Sequence, residues 1–132
     1  MSNDFAVSIE HIALWTRDLE RSRSFYEHHF GARAGALYQS KRQPLSSYFL
    51  EFAGGARLEI MTSPEMADRF VTRHIGLAHF ALRVGSREAV HAIVERLRAA
   101  QVTIAGEPRL TGDGYYEAVV HDPDGNILEL IA

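Results

Sequence analysis

One pattern of four residues occurs twice in this chain, in the same order and at nearly the same spacing. A run of the form His-apolar-Ala-Leu begins at His11 and again at His79. A triplet of the form Leu-Glu-apolar follows each run, with its glutamate at Glu59 and at Glu129. The separation is 59 − 11 = 48 residues in the first half and 129 − 79 = 50 residues in the second half. Such a repeat predicts two copies of one supersecondary module.

The signals for helices repeat in the same register. Asp18 lies seven residues after His11, and Ser86 lies seven residues after His79; both residue types are favoured at a helix N-cap. The helix after Asp18 is predicted to end at Gly31, which suits the left-handed C-terminal position. The helix after Ser86 shows the i, i+3, i+4, i+7 spacing of one apolar face, formed by Ala89, Val90, Ile93, Val94, Leu97 and Ala100.

Each predicted helix is followed by three candidate strands. They are residues 33–40, 47–53 and 56–62 in the first half and 102–110, 115–121 and 126–131 in the second half. Gly54-Gly55 and Asp122-Pro123-Asp124-Gly125 are typical of the turns that join the last two strands of each set. The sequence therefore predicts an α+β fold of two tandem βαβββ modules, about 7–63 and 75–132, in a single domain with a connector at about 62–75.

Composition excludes several classes of function. The chain has 17 acidic and 14 basic side chains, a net charge of −3 and no basic run, which argues against nucleic-acid binding by phosphate neutralisation. It has no cysteine, so disulfides and thiolate metal sites are not available. No run of 18 apolar residues and no leader-like N-terminal segment is present, so we expect a cytoplasmic protein that does not enter the membrane.

The repeated histidines and glutamates are predicted to lie on the sheet face away from the helices. Side chains alternate along a strand, and the apolar residues between them would pack on the helix, which leaves His11 and Trp15 on the opposite face. Glu59 and Glu129 are each flanked by two apolar residues of the helix-facing set. A carboxylate in such a position is costly to desolvate unless it is paired or bound to a cation.

Two imidazoles and two carboxylates suit a divalent ion of intermediate hardness: Ni, Zn, Co, Fe or Mn. Four protein ligands leave up to two positions of an octahedral ion for two adjacent oxygens of a substrate. Such an ion acts as a Lewis acid toward a developing enolate, and one of the glutamates is a candidate proton acceptor beside it. A single histidine on a strand is more often a structural residue, and it is the duplicated spacing that favours metal binding. The other histidines are interpreted as structural or surface residues: His28, His29, His74, His91 and His121.

The chain resembles the vicinal oxygen chelate superfamily, also known as the glyoxalase, bleomycin-resistance and ring-cleaving dioxygenase superfamily. The resemblance extends from about Ile9 to Ile131. It depends on His11-Ile-Ala-Leu with Asp18-Leu-Glu-Arg-Ser-x-x-Phe-Tyr, on Leu58-Glu59, on His79-Phe-Ala-Leu, and on Asp122-Pro-Asp-Gly-Asn-x-x-Glu129-Leu. This resemblance implies curved mixed sheets that form an open, half-barrel cavity, and it implies a homodimer.

In glyoxalase I-type members the metal ligands are His, Glu, His and Glu, and by resemblance these map onto His11, Glu59, His79 and Glu129. The implied function is a metal-dependent lyase or isomerase acting on a small α-oxo or α-hydroxy carbonyl compound, with one divalent metal per site. Ni, Co or Zn is favoured over Mn or Fe. Glu129 is the candidate proton carrier, and Glu59 is the alternative.

Two features depart from the glutathione-using members. Trp15 stands where those members have an arginine, and Thr62-Ser63 stands where they often have an asparagine. The resemblance therefore supports metal chemistry more strongly than it supports glutathione as a co-substrate. Trp15, Arg57 and Arg83 are the candidate substrate-binding residues.

Two other functions remain open at this stage. One is a non-catalytic, drug-sequestering protein of the same fold, although such members generally lack the ligand set. The other is an Fe(II) ring-cleaving dioxygenase; three-ligand relatives of that kind use no counterpart of Glu59, and they are often about twice as long.

Overall fold

The computed structural model describes residues 5–68 and 73–132, and the chain divides into two compact units, Met1–Met66 (unit 1) and Ala67–Ala132 (unit 2). Each unit consists of one helix and one open sheet with both parallel and antiparallel pairing. The predicted α+β class is confirmed. Residues 69–72 of the predicted connector lie outside the described residues.

Unit 1 begins and ends with strands that pair with each other. Its elements are β1 (His11–Trp15), α1 (Leu19–Phe30), β2 (Arg33–Ala34), β3 (Tyr38–Gln39), β4 (Ser46–Glu51) and β5 (Arg57–Thr62). The strand order is β1-β5-β4-β2, and β3 also pairs with β4. The β1–β5 pair is parallel and the others are antiparallel, so β5 lies between β1 and β4.

Unit 2 repeats this arrangement. Its elements are β6 (Phe80–Arg83), α2 (Arg87–Ala99), β7 (Ile104–Leu110), β8 (Tyr116–His121) and β9 (Ile127–Ile131). The strand order is β6-β9-β8-β7, with β6 parallel to β9. The predicted repeat of the two halves is therefore reproduced, and in each unit the structure places the first strand beside the last strand.

Both helices begin at the predicted caps. The side chain of Asp18 accepts a hydrogen bond from the backbone N–H of Arg21 at 3.0 Å, and that of Ser86 accepts one from Ala89 at 3.1 Å. Gly31 ends α1 with φ 67°, a left-handed conformation that suits glycine. At 12 and 13 residues, α1 and α2 are too short to span a bilayer, and none of the described helices is long and apolar enough to do so.

The cores lie between each helix and its sheet. In unit 1 the fully buried side chains include Tyr26 of α1 with Leu50, Leu58 and Ile60 of the sheet. In unit 2 they are Val90, Val94 and Leu97 of α2 with Val120, Leu128 and Leu130. His29, predicted to be structural or at the surface, is buried on the inner side of α1. The helix-facing half of each strand is thus the apolar half, as the alternation predicts.

The prediction of one continuous strand over 33–40 was wrong. The segment forms two short strands, because Ala34 pairs with Leu50 whereas Tyr38 pairs with Ser47. The chain advances 38 − 34 = 4 residues on this side and 50 − 47 = 3 on the other, so one extra residue interrupts the pairing in the manner of a bulge.

The starts of β7 and β6 also differ from the prediction. β7 begins at Ile104 rather than at residue 102, and its pairing with β8 shifts register between Gly106 and Arg109, where Pro108 has no N–H to donate. His79 lies immediately before β6 rather than inside it. The β6 ladder with β9 starts at Phe80, opposite Leu128.

Candidate metal centre

The parallel pairing of β1 with β5 brings His11 and Glu59 together in unit 1. Ala13 lies opposite Glu59, and His11 is two residues before Ala13 on the same face of the sheet. The imidazole Nε2 of His11 is 3.8 Å from the Oε1 of Glu59. The histidine side chain is 39% exposed and the glutamate 16% exposed, so this carboxylate is the more enclosed of the two groups.

Unit 2 forms the same pair in the same way. Ala81 lies opposite Glu129, and His79 is again two residues before that alanine. The Nε2 of His79 is 3.2 Å from the Oε2 of Glu129. The exposed fractions are similar to those in unit 1, at 42% for the histidine and 23% for the glutamate.

These distances bear on whether the donor atoms fit a metal. Two ligands that bind one ion at roughly 2.0–2.2 Å with tetrahedral to octahedral angles lie about 3.0–3.4 Å apart. The pair of His79 and Glu129 falls within this range, and that of His11 and Glu59 is a few tenths of an ångström wider. Taken by itself, neither unit gathers three or more His, Asp or Glu side chains able to hold an ion among its described residues. Each unit therefore offers a half-site of one imidazole and one carboxylate.

The ring of His11 is held by two further groups that sequence reasoning missed. Its Nδ1 is 2.8 Å from the Oε1 of Glu10, and the ring packs edge-on against Phe49 with centroids 5.0 Å apart. A carboxylate on the second ring nitrogen is the usual way in which proteins orient a histidine ligand and make it more basic. Hydrogen bonds from Arg57, and then from His11, hold the pKa of the Glu10 carboxyl below its usual range.

The carboxylate of Glu129 has a second carboxylate beside it, which was also missed. Glu117 of β8 shares a face with Val119, and Val119 lies directly opposite Glu129. Glu117 is only 8% exposed. Its burial, followed by the charge of Glu129 and a hydrogen bond with that side chain, raises the pKa of the Glu117 carboxyl above its usual range. A glutamate in a strand otherwise rich in apolar residues was the available signal.

Of the three candidate substrate-binding residues, Arg57 lies next to a half-site. Its Nε and Nη2 donate to the two carboxylate oxygens of Glu10, at 3.1 and 2.7 Å, and its guanidinium stacks on Phe49. Trp15 and Arg83 are each four residues along a strand from the histidine of their unit, which corresponds to about 13 Å. Trp15 is 52% exposed, and Arg83 donates to the backbone oxygen of Ala132.

The comparisons with known proteins agree with this fold. The chain is 30% identical over 126 residues to YwkD of Bacillus subtilis (strain 168), itself described as uncharacterized; the match covers 93% of this chain and 94% of that protein. Among solved structures, a glyoxylase/bleomycin resistance protein/dioxygenase domain from Frankia sp. EAN1pec matches with a TM-score of 0.84 and 20% identity, over 96% of this chain and 98% of that one. The trypanothione-dependent glyoxalase I of Leishmania major matches with a TM-score of 0.76 and 23% identity, over 96% and 86% of the two chains.

At these identities the structural likenesses concern the fold alone. The family is shown by the sequence itself, because the profile of one superfamily matches residues 8–130, which include both histidines and both glutamates. The chain therefore belongs to the Glyoxalase/Bleomycin resistance protein/Dioxygenase superfamily.

Proposed function

We propose that one divalent metal is bound by four residues: His11, Glu59, His79 and Glu129. A half-site of unit 1 and a half-site of unit 2 each contribute two of these ligands. The observation that carries this proposal is the repetition of a His–Glu pair at the same strand register, with Nε2 directed at the carboxylate in both units. The bond between Glu10 and the Nδ1 of His11 is a second feature expected of a ligand histidine. Ni, Co and Zn are the first candidates, followed by Mn and Fe.

The proposed activity is that of a glyoxalase-like lyase or isomerase acting on a small α-oxo or α-hydroxy carbonyl compound. A divalent ion held by this ligand set would supply Lewis acidity to two adjacent oxygens of the substrate. The protein's own task is then to move a proton at the carbon next to the carbonyl group. We assign this task to the carboxylate of Glu129, which Glu117 holds by a hydrogen bond, and Glu59 is the alternative.

Three side chains are proposed to contact the substrate: Trp15, Arg57 and Arg83. Arg57 is the best supported, because it lies against the ring that also contacts His11. We further propose that the protein works in the cytoplasm as a homodimer. The use of trypanothione belongs to the Leishmania enzyme, and no thiol co-substrate is proposed for this chain.

Metal content measured by mass spectrometry tests the ligand set. The protein is stripped with a chelator, offered a mixture of Ni, Co, Zn, Mn and Fe(II), and separated from free ions. We expect about one equivalent of metal per pair of half-sites, with loss of the metal in His11→Ala and in His79→Ala. His91→Ala is the matched control, because His91 lies on α2 and contacts Tyr116 rather than a half-site.

The same measurement decides against the proposal if no metal is retained under any of these conditions. It also does so if His11→Ala and His79→Ala keep as much metal as His91→Ala. The better interpretation would then be a non-catalytic protein that binds small hydrophobic molecules with the same fold.

A further inference from the structure

A cavity of about 380 Å³ opens in unit 1 beside the half-site of His11 and Glu59. It is formed by β2, β4 and the first residue of β5, and the residue that follows β2. Its lining consists of two arginines, one glutamate, one phenylalanine and two small residues: Arg33, Arg57, Glu51, Phe49, Ala34 and Gly35.

Arg57 is held in this cavity by contacts on two sides. Its guanidinium carbon lies 4.3 Å from the centroid of the Phe49 ring, and two of its nitrogens donate to Glu10. The side chain is 34% exposed. Because these contacts already fix the side chain, Arg57 loses little further conformational entropy when it binds a ligand. This favours the recognition of a planar anion.

One nitrogen of Arg57 remains for a ligand. Its Nε and Nη2 are used by Glu10, whereas its Nη1 has no hydrogen-bond partner in the described part of the chain. The other charged groups of the lining are Arg33 and Glu51, whose closest atoms are 3.8 Å apart and whose side chains are 82% and 56% exposed. With Glu10 counted, two guanidinium groups face two carboxylates, so a ligand carboxylate would bind Arg57 in competition with Glu10.

The cavity shares one wall with the half-site. Phe49 lies opposite Glu59 in the β4–β5 ladder, and its ring contacts the imidazole of His11 while it supports Arg57. Arg57 and Glu59 are two residues apart on one strand and therefore point to the same face, at about 6.6 Å between their Cα atoms. A carboxylate on Arg57 and a group beside Glu59 could thus belong to one short molecule.

We propose that this cavity binds a carboxylate at the far end of the substrate. The inference rests on the proposed function and narrows its substrate class to α-oxo or α-hydroxy carbonyl compounds that carry a second carboxylate two or three carbon atoms beyond the chelating oxygens. Arg57 is the specificity-determining residue, Phe49 positions it, and Arg33 adds charge at the rim. Unit 2 has no such subsite at the equivalent positions, where Ile127 and Val119 stand in place of Arg57 and Phe49.

Binding of glutarate to the metal-free protein tests the subsite without the metal. Glutarate, its dimethyl ester and pyruvate are titrated into the metal-free protein, and backbone amide shifts are followed by NMR. We expect glutarate to shift amides of β2, β4 and β5, and the uncharged ester to have no effect there. Arg57→Gln should weaken glutarate binding about tenfold or more. Arg98→Gln is the control, because Arg98 also bridges two glutamates, Glu95 and Glu107.

A variant with the opposite expected effect guards against a trivial loss of folding. Glu10→Gln removes the negative charge that competes for Arg57, so glutarate should bind severalfold more tightly to it than to the unaltered chain. Absence of glutarate binding, or equal binding by the unaltered chain and Arg57→Gln, overturns the inference. So does a weakening in Arg98→Gln as large as that in Arg57→Gln.

Ni-loaded protein then separates the inference from the proposed function. There, at matched nickel occupancy, 2-oxoglutarate should bind about tenfold more tightly than pyruvate, and Arg57→Gln should remove this advantage. If nickel is not retained but glutarate still depends on Arg57, the proposed metal function fails and the carboxylate subsite stands. If nickel and pyruvate bind and Arg57→Gln leaves the preference unchanged, the subsite fails and the metal function stands.

Discussion

In unit 1 the histidine is the better supported member of the pair, and in unit 2 it is the glutamate. Glu10 and Phe49 both contact the ring of His11, whose distance to its glutamate is the longer one, 3.8 Å. In unit 2, Ala78 stands at the position equivalent to Glu10. Among the described residues, Glu129 is the one side chain that His79 contacts. There Glu117 supports the carboxylate instead.

The two units thus have the same backbone arrangement, but different side chains contact the His–Glu pair in each. At the position equivalent to Glu117, unit 1 has Ser47, which is fully buried, and its hydroxyl has no hydrogen-bond partner within the described residues. The His–Glu pair is the same in the two units, whereas the side chains around it differ. Unit 1 thus fixes the imidazole of its pair, and unit 2 fixes the carboxylate.

The largest expected effect comes from changing the two glutamates to amides one at a time. Under the proposed function, Glu129→Gln should lower turnover of a converted α-oxo or α-hydroxy carbonyl substrate by about 10²–10⁴-fold, because the amide accepts no proton. Glu59→Gln removes a ligand charge but no proton carrier, so its turnover should fall less. Steady-state kinetics at matched metal content measure both variants. Full activity in Glu129→Gln would refute the assignment, and the reverse order would move the proton transfer to Glu59.

A smaller effect is expected from removing the support of the histidine in unit 1. Glu10→Ala should weaken metal binding by about 10–100-fold, since the carboxylate on Nδ1 orients the ring of His11. Glu10→Gln keeps a hydrogen-bond acceptor and should recover part of the loss. Ala78→Ser, at the equivalent position of unit 2, should leave the affinity unchanged. Competition with a chelating indicator gives the dissociation constants, and equal losses in Glu10→Ala and Ala78→Ser would remove the contrast between the units.

The smallest effect concerns the pH dependence of stability in the metal-stripped protein. Because the pKa of Glu117 is raised in the folded state, the folded protein holds a proton that the unfolded chain releases above about 4.5. The contribution of this group to stability is therefore fully present below pH 4.5 and is lost as the pH rises through the folded-state pKa. Glu117→Gln should remove that loss, so its Tm relative to the unaltered protein should increase between pH 4 and pH 8.

Glu107→Gln is the control for that experiment and has the opposite sign. The guanidinium of Arg98 lowers the pKa of Glu107, so the contribution of this carboxylate is present above about pH 4.5 and is lost as the pH falls through its folded-state pKa. The Tm of Glu107→Gln relative to the unaltered protein should therefore fall as the pH is raised from acid. A Tm difference for Glu117→Gln that does not change with pH would show that Glu117 is not held protonated beside Glu129.

The sequence was sufficient to predict the parts of the fold that depend on local chemistry. The N-caps at Asp18 and Ser86 and the C-terminal position of Gly31 were confirmed, because each is decided by residues within one helical turn. The repeat also predicted that the two units share one order of elements, whereas the pairing of the first strand with the last strand was seen only in the structure. The interruption of the strand after Ala34 was not predictable, because it depends on which residues of β4 lie opposite.

The same reason limits what could be predicted of the candidate site. The four repeated histidines and glutamates lie on or next to two strands of each unit and have a visible spacing, so their pairing could be inferred. Glu117 and Phe49 reach the site from neighbouring strands, and no spacing in the sequence relates them to Glu129 and His11. Glu10 is adjacent to His11 but alternates to the other side of an ideal strand, so the alternation gave no signal that its side chain contacts Nδ1.

The pairing of the first strand with the last strand in each unit has a consequence for the order of folding events. The β4–β5 hairpin closes a short loop, whereas His11 meets Glu59 only after 48 residues of chain have been brought back on themselves. Contacts of such high sequence separation carry the larger loop-closure entropy and form late. We therefore expect a refolding chain to form its His–Glu pairs near the end of the reaction. Under the proposed function, the moment at which an ion is bound during refolding would report when the first and last strands of each unit have paired.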